Sequence, residues 1–389
     1  MAVRYRSIFP LSQRATYEAD SNIDFVLSLD NEKLIPGSVC LEGEVAVYSN
    51  LANATPYAGE DIRYDPRAGF HALCRDWTSE FQQVGVIESF QNYPRWVKMN
   101  CVATQFDDSL AAESVLCVEG RAPTEGIARG HLWGRSLSDP FVPFSIVPQI
   151  CVNKASGALS SAATGQIRLR LRLAPNGEAL YGEDMTSDVG YSIKNLKLRF
   201  QTIPDDGKLQ AVQIEVHTVY RSNVDSNNQN ISTFVPTLCS AVQMSFINQS
   251  SEGQLKKNYL QLAPLPGIPP YVTAGTAVAS NSYGIERLYY SINDTDSGAL
   301  VDFTLESREE IVRNGLRSYD SKMSKYNALI RHFNTPGAQD CYIAGMPFGN
   351  LINFQSNKFA VEIQSQCSSS IAGAFVGYFF FTGLISMNA

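Results

Sequence analysis

The residues best suited to chemistry are scattered along this chain. Its histidines, His71, His131, His217 and His332, lie no closer than 60 residues apart, so no H-x-H pair can hold an ion on one strand face. His71 and Cys74 could form half of a metal site, but no second half stands at a usable spacing. Their stretch, with Phe70, Leu73, Cys74, Trp77 and Phe81 three and four residues apart, predicts a packed helix over Phe70–Phe81. Glu215 and His217 stand at i and i+2 in a segment of period two and could both reach one ion. The same alternation predicts a solvated sheet face for them. No G-x-S-x-G occurs, and Gly207-Lys208 runs into Leu209 without the preceding glycine of a phosphate loop. Glu306, Glu309 and Glu310 cluster where a helical pattern begins, and acids there suit the positive end of a helix. The sequence therefore assigns no catalytic, cofactor-binding or metal-binding residue.

What must be positioned, then, is surface. Charged residues are 18% of the 389, against a usual ~25%, while apolar residues are 44% and aromatics 11%. With 31 basic and 38 acidic side chains the net charge is −7, which excludes a chain that coats nucleic acid with cations over its whole surface. Low charge in an aromatic-rich chain points to extensive subunit contacts. The eight cysteines show no C-x-x-C and no close pairing, as for reduced thiols. The opening MAVRYRSIFPLSQR lacks the apolar run of a signal peptide, so the chain is expected not to be secreted. The N-x-S/T sequences at Asn53, Asn230, Asn248 and Asn293 are then accidental.

Period-two patterns dominate the elements. Ile167, Leu169, Leu171 and Leu173 alternate with Arg168, Arg170 and Arg172 without exception, which predicts a half-buried strand. Ser38–Tyr48, Tyr191–Phe200 and Gln213–Tyr220 alternate less strictly. Ile23–Leu29, Val115–Glu119, Phe141–Val152, Ala241–Ile247, Leu288–Ile292 and Phe359–Gln364 are further strand candidates. A second helical pattern runs over Glu306–Phe333, broken or bent at Gly315. Ile371–Ile385 is almost wholly apolar and long enough to cross a bilayer, but Val376, Tyr378 and Phe379 to Phe381 favour a core strand. Many short strands separated by turns such as Pro36-Gly37 and Asp205-Asp206-Gly207 make the fold all-β. The Gly, Asp, Asn and Ser-rich stretch from Pro175 to Val189 divides it into residues 1–185 and 186–389, each long enough for an eight-stranded jelly roll.

This order of segments resembles the double jelly-roll major capsid proteins of tailless icosahedral DNA viruses, the lineage of adenovirus hexon and the coat proteins of internal-membrane phages. Four pieces carry the resemblance: IDFVLSLDNEKLIPGSVCLEGEVAV, GQIRLRLRLAPNGEALYG closing the first half, VGYSIKNLKLRFQTI opening the second, and the final AFVGYFFFTG. It implies a structural, non-enzymatic subunit of the virion shell, made in the host cytoplasm or nucleus and needing no cofactor. Two rolls in each of three copies would give a pseudo-hexagonal homotrimer that packs against neighbouring capsomers and minor capsid or penton proteins. It also implies that the basic N-terminal arm, with Arg4, Arg6 and Arg14 ahead of the first acid, Glu18, lies inside the shell where it could meet an internal membrane or the genome. The long loop Ala263–Tyr283 would form an outward tower or an intersubunit clasp.

Two rival functions fit an all-β chain. A two-domain β-sandwich could bind carbohydrate through exposed Trp77, Trp96 or Trp133, and a glycoside hydrolase could bring two of the acids together in a cleft.

Overall fold

The Arg-alternating segment is strand β11, Ile167–Leu173 in the computed structural model, with its four aliphatic side chains buried and its three arginines outward. Residues 3–59, 62–65, 67–104, 140–208, 210–224, 228–234, 238–248, 254–260, 284–294, 298–305, 308–319, 344–353, 357–366 and 375–388 are described. Ahead of β11 come β1 (Arg4–Ile8), β2 (Tyr17–Glu18), β3 (Asn22–Leu27), β4 (Glu32–Leu34), β5 (Cys40–Asn50), β6 (Thr55–Pro56), β7 (Cys74–Phe81), β8 (Gly85–Phe90), β9 (Val142–Ile146) and β10 (Leu159–Ser160). After it come β12 (Gly190–Pro204), β13 (Ala211–Val224), β14 (Asn228–Phe234), β15 (Leu238–Asn248), β16 (Gly284–Asp294), β17 (Gly298–Leu305), β18 (Ala344–Asn353), β19 (Asn357–Gln366) and β20 (Phe375–Asn388).

Their pairing defines two rolls built to one plan. In the first, β12 lies between β5 and the split first strand, β1 with β2, while β9 pairs with the far edge of β5. The facing sheet runs β3, β11, β7, β8. In the second, one sheet runs β13, β20, β15, β18 and the other β14, β19, β16, β17. Counting main strands one to eight in each unit, the orders are first, eighth, third, sixth and second, seventh, fourth, fifth. That is the eight-stranded jelly roll, repeated.

This pairing moves the division of the chain. The segment Tyr191–Phe200, expected to open the second half, is the eighth strand of the first roll, bonded to β1, β2, β4 and β5. A boundary at 185/186 would strip it from every one of those partners, so on strand pairing the division falls between Pro204 and Ala211. The turn there is local: Gly207 has φ 70°, and its N–H donates to the Asp205 side chain at 2.9 Å.

The helix expected over Phe70–Phe81 is absent. Gly69–Leu73 forms a short 3-10 turn and Cys74–Phe81 is β7. Arg172 pairs with Asp76 while Leu173 pairs with Cys74, so Arg75 is an extra residue in the strand. This bulge places buried Cys74 and Trp77 three residues apart and imitates a helical period. The longest helix described in the first roll is instead Tyr93–Thr104, following its fifth strand, with Pro94 in the first turn where a missing N–H costs nothing. The second roll's helix also follows its fifth strand: Arg308–Arg317 runs through Gly315 without a break. Glu309 and Glu310 lie in its first turn. Val115–Glu119, His131, Trp133, Ala263–Tyr283, Glu306 and His332 lie outside the described residues.

Strand β20 bears out the expectation of a core strand. It is central, paired along β13 on one side and β15 on the other, and Val376 and Tyr378 to Phe381 are buried. Among the described residues no helix is long and apolar enough to cross a membrane.

Candidate functional site

The rolls stand side by side because β8 and β13 run parallel where Ser89 meets Thr218, which joins two four-stranded sheets into one of eight strands. At this seam Glu88 of β8 is fully buried. Its Oε2 accepts the Cys151 N–H at 2.8 Å and its Oε1 the His217 N–H at 2.9 Å. The His217 ring stacks on Phe90 at 4.6 Å and meets the edge of Trp96 at 4.5 Å.

A second clasp reaches from the first roll to the segment at 258–260. Lys98 donates to buried Asp65 at 2.7 Å, and Asn258 Nδ2 donates to the same oxygen at 2.6 Å. Burial works to raise the Asp65 carboxyl, but the Lys98 ammonium and these hydrogen bonds hold it below its ordinary value. Arg95 of the same helix lies over the Tyr378 ring at 4.5 Å and bonds the Tyr259 carbonyl. A narrow cleft beside it is lined by Arg75, Asn92, Arg95, Glu178 and Tyr259. There burial pushes the Glu178 carboxyl up to about 7, against the pull of Arg75 at 3.3 Å.

The residues singled out for chemistry are not brought together. His71 is buried with Nδ1 2.7 Å from the Tyr93 hydroxyl, and burial lowers its pKa to about 4. Burial raises the Cys74 and Cys151 thiols, which disfavours the nucleophilic thiolate. Among the described cysteines, Cys40, Cys74 and Cys151 are buried and hold free thiols. Glu215 and His217 do share a strand face, with Nε2 3.6 Å from Glu215 Oε1, but the face is not solvated at His217, which the aromatic seam covers. Lys208 serves the turn between the rolls, its carbonyl accepting from Lys33 at 2.7 Å. Among the described residues no three His, Cys, Asp or Glu side chains are placed to hold a metal ion. Trp77 and Trp96 are buried, which removes two of the three aromatics offered as a sugar platform.

The basic arm is tied to the fold at two of its three arginines. Arg4 and Arg6 belong to β1 and reach inward to Glu32 at 2.6 and 2.9 Å. Glu32 is buried and held below its ordinary pKa by the Thr202 hydroxyl and then by both arginines. Sequence alone could not show this, because Glu32 lies far along the chain. Arg14 remains exposed.

Both outer faces of the first roll carry ion-pair ladders. Arg168, Arg170 and Arg172 meet Asp24, Glu80 and Asp20, and Lys194, Lys197 and Arg199 meet Glu44 and Glu42. The cations are thus matched on their own sheets, and each exposed pair contributes little to stability.

No protein-family model and no curated protein matches the sequence. Solved structures do match. The chain aligns over 100% of its length with a chain of the PBCV-1 virus capsid, covering 94% of that chain with a TM-score of 0.60 and 13% identity. The Faustovirus major capsid protein is covered over 90% with a TM-score of 0.58 and 8% identity, and a chain of the Sputnik virophage over 88% with 0.59 and 8%. The fold is the double jelly roll of viral major capsid proteins.

Proposed function

We propose that this chain is a structural subunit of a viral capsid, not an enzyme, and that its function is to tile a shell. The observation that supports this best is the repetition of one strand plan in two rolls standing side by side in a continuous sheet. Two similar wedges per chain, taken three times around an axis, give six positions and a pseudo-hexagonal homotrimer suited to an icosahedral lattice. Its partners would be neighbouring capsomers and minor capsid or penton proteins, and its place the virion, after synthesis in the host cytoplasm or nucleus without secretion. Contact with an internal membrane or the genome through Arg4, Arg6 and Arg14 belongs to the same reading, with Arg4 and Arg6 also paired with Glu32.

Light scattering on the purified protein, with electron microscopy of the same peak, tests this. A mass near three times 42.8 kDa and a hexagonal outline are expected. A stable monomer would remove the central premise.

A further inference from the structure

One buried carboxylate of the second clasp receives both an amine and a carboxamide. Asp65 Oδ2 accepts from Lys98 Nζ at 2.7 Å and from Asn258 Nδ2 at 2.6 Å. The Lys98 side chain is fully enclosed and that of Asp65 is 1% exposed. The other oxygen, Oδ1, accepts the backbone N–H groups of Arg67 at 2.9 Å and Ala68 at 3.0 Å, so the carboxylate is held facing the two nitrogens. Asn258 Oδ1 accepts the Leu260 N–H at 2.9 Å, a donor already in place for negative charge developing on that oxygen. The next residue is anchored as well: the Tyr259 carbonyl bonds Arg95, and its hydroxyl donates to Asn92 Oδ1 at 3.2 Å and lies 3.1 Å from the Tyr378 hydroxyl.

Lys98 and Asp65 alone suffice for an ion pair. The carboxamide adds an electrophilic carbon whose leaving nitrogen already bonds to the acid, beside a nucleophile that bonds to the same oxygen. We propose that Lys98 and Asn258 join in an isopeptide bond with Asp65 as the acid–base catalyst, a single turnover of the chain on itself. The bond would tie helix Tyr93–Thr104 of the first roll to the segment between β15 and β16 of the second. The inference goes beyond the function proposed above and holds for a monomer as for a trimer.

The protons balance around one carboxylate. A proton first crosses the hydrogen bond from Lys98 Nζ to Asp65 Oδ2, turning two enclosed charges into two neutral groups. The Nζ lone pair then forms a bond to Asn258 Cγ, and the carbonyl electrons move onto Oδ1, facing the Leu260 N–H. Asp65 gives its proton to Nδ2 and takes a second from Nζ. The Cγ–Nδ2 bond breaks as the carbonyl re-forms, and ammonia leaves, carrying that second proton away as ammonium. Nothing is oxidised or reduced. Asn258 is only partly buried, which gives the ammonia a way out. A cross-link between residues so far apart in sequence also restricts the unfolded chain.

Intact mass spectrometry of the purified full chain, with tandem spectra of its tryptic digest, tests this. The bulk of the protein weighs less than its sequence by one ammonia, trypsin fails to cut after Lys98, and a branched peptide joins Lys98 to Asn258. Asp65→Asn, which removes the catalyst and keeps both reacting groups, has its full sequence mass. Should that variant misfold, Asn258→Ala serves instead: it leaves the Lys98–Asp65 pair in place and also has its full mass. Four results would overturn the proposal. They are a native chain at full sequence mass, loss of ammonia with no branched peptide, as when Asn258 closes on its own backbone, loss of water that joins Lys98 to Asp65, and a folded Asp65→Asn chain that still cross-links.

Discussion

Oε1 of Glu88, on the fifth strand of the first roll, accepts the backbone N–H of His217, on the first strand of the second, at 2.9 Å. The other carboxylate oxygen holds the Cys151 N–H at 2.8 Å, and the whole group is buried. A buried carboxylate that satisfies two backbone donors from different elements fixes how the rolls meet. Glu88→Gln leaves one of these N–H groups facing an amide NH₂, a mismatch that costs about 2 kcal/mol. The urea midpoint should fall accordingly, and an unchanged midpoint would show that the seam relaxes around the amide.

A buried group and a partly buried one titrate in opposite senses. His71 has its pKa lowered from 6.5 to about 4, so between those values the unfolded chain takes up a proton the folded one refuses, and stability falls as the pH falls. Glu178 has its carboxyl raised from 4.5 to about 7, so the folded chain takes up its proton first and stability falls as the pH rises through that window. The slopes oppose each other between pH 4.5 and 6.5. Glu178→Gln should make acid destabilisation steeper and His71→Gln should make it shallower, as read from urea midpoints across the window. Parallel profiles for the native protein and both variants would mean that neither group titrates as its surroundings dictate.

Much of this architecture is visible in residue patterns, and what is hidden has physical causes. The alternation of β11 and the aromatic run of β20 declare themselves because one face, or both, is filled by uniform side chains. Helix Tyr93–Thr104 does not, because it is buried nearly all round, and Arg95 and Lys98, fully enclosed, break any apolar stripe. Strand β7 reads as a helix because Arg75 bulges. The eighth strand of the first roll reads as the opening of the second because strand partnership is a long-range property: β12 bonds to residues about 150 positions earlier. The pairing of Arg4 and Arg6 with Glu32 is hidden for the same reason. Arginines look like a solvated tail until the buried acid that receives them is found.

Deleting residues 2–14 tests that last point. A free basic arm could be removed at no cost to the fold. Here the deletion removes β1 and leaves Glu32 buried with the Thr202 hydroxyl as its remaining side-chain partner among those described. Loss of about 3 kcal/mol or more is expected, seen as a lower unfolding temperature, with Arg4→Ala, Arg6→Ala giving part of the same loss. A deletion variant as stable as the full chain would return these residues to the status of a tail.

The strongest dependence should be on β20. It is hydrogen-bonded on both sides, so ending the chain before Ala374 breaks the ladders to β13 and β15 together and exposes a sheet centre with no substitute strand. Phe380 also meets Phe90 of the first roll at a ring separation of 6.4 Å, and Tyr378 lies beneath Arg95, so the loss reaches the seam. Residues 1–373 should be insoluble or lack near-ultraviolet circular dichroism. A milder version isolates packing from pairing. Phe380→Ala keeps every backbone bond and removes one fully buried ring, a change worth about 3–5 kcal/mol where the cavity cannot collapse. If the truncated chain folds, or Phe380→Ala leaves the unfolding midpoint unmoved, then β20 is an appended strand and not the centre on which the second roll closes.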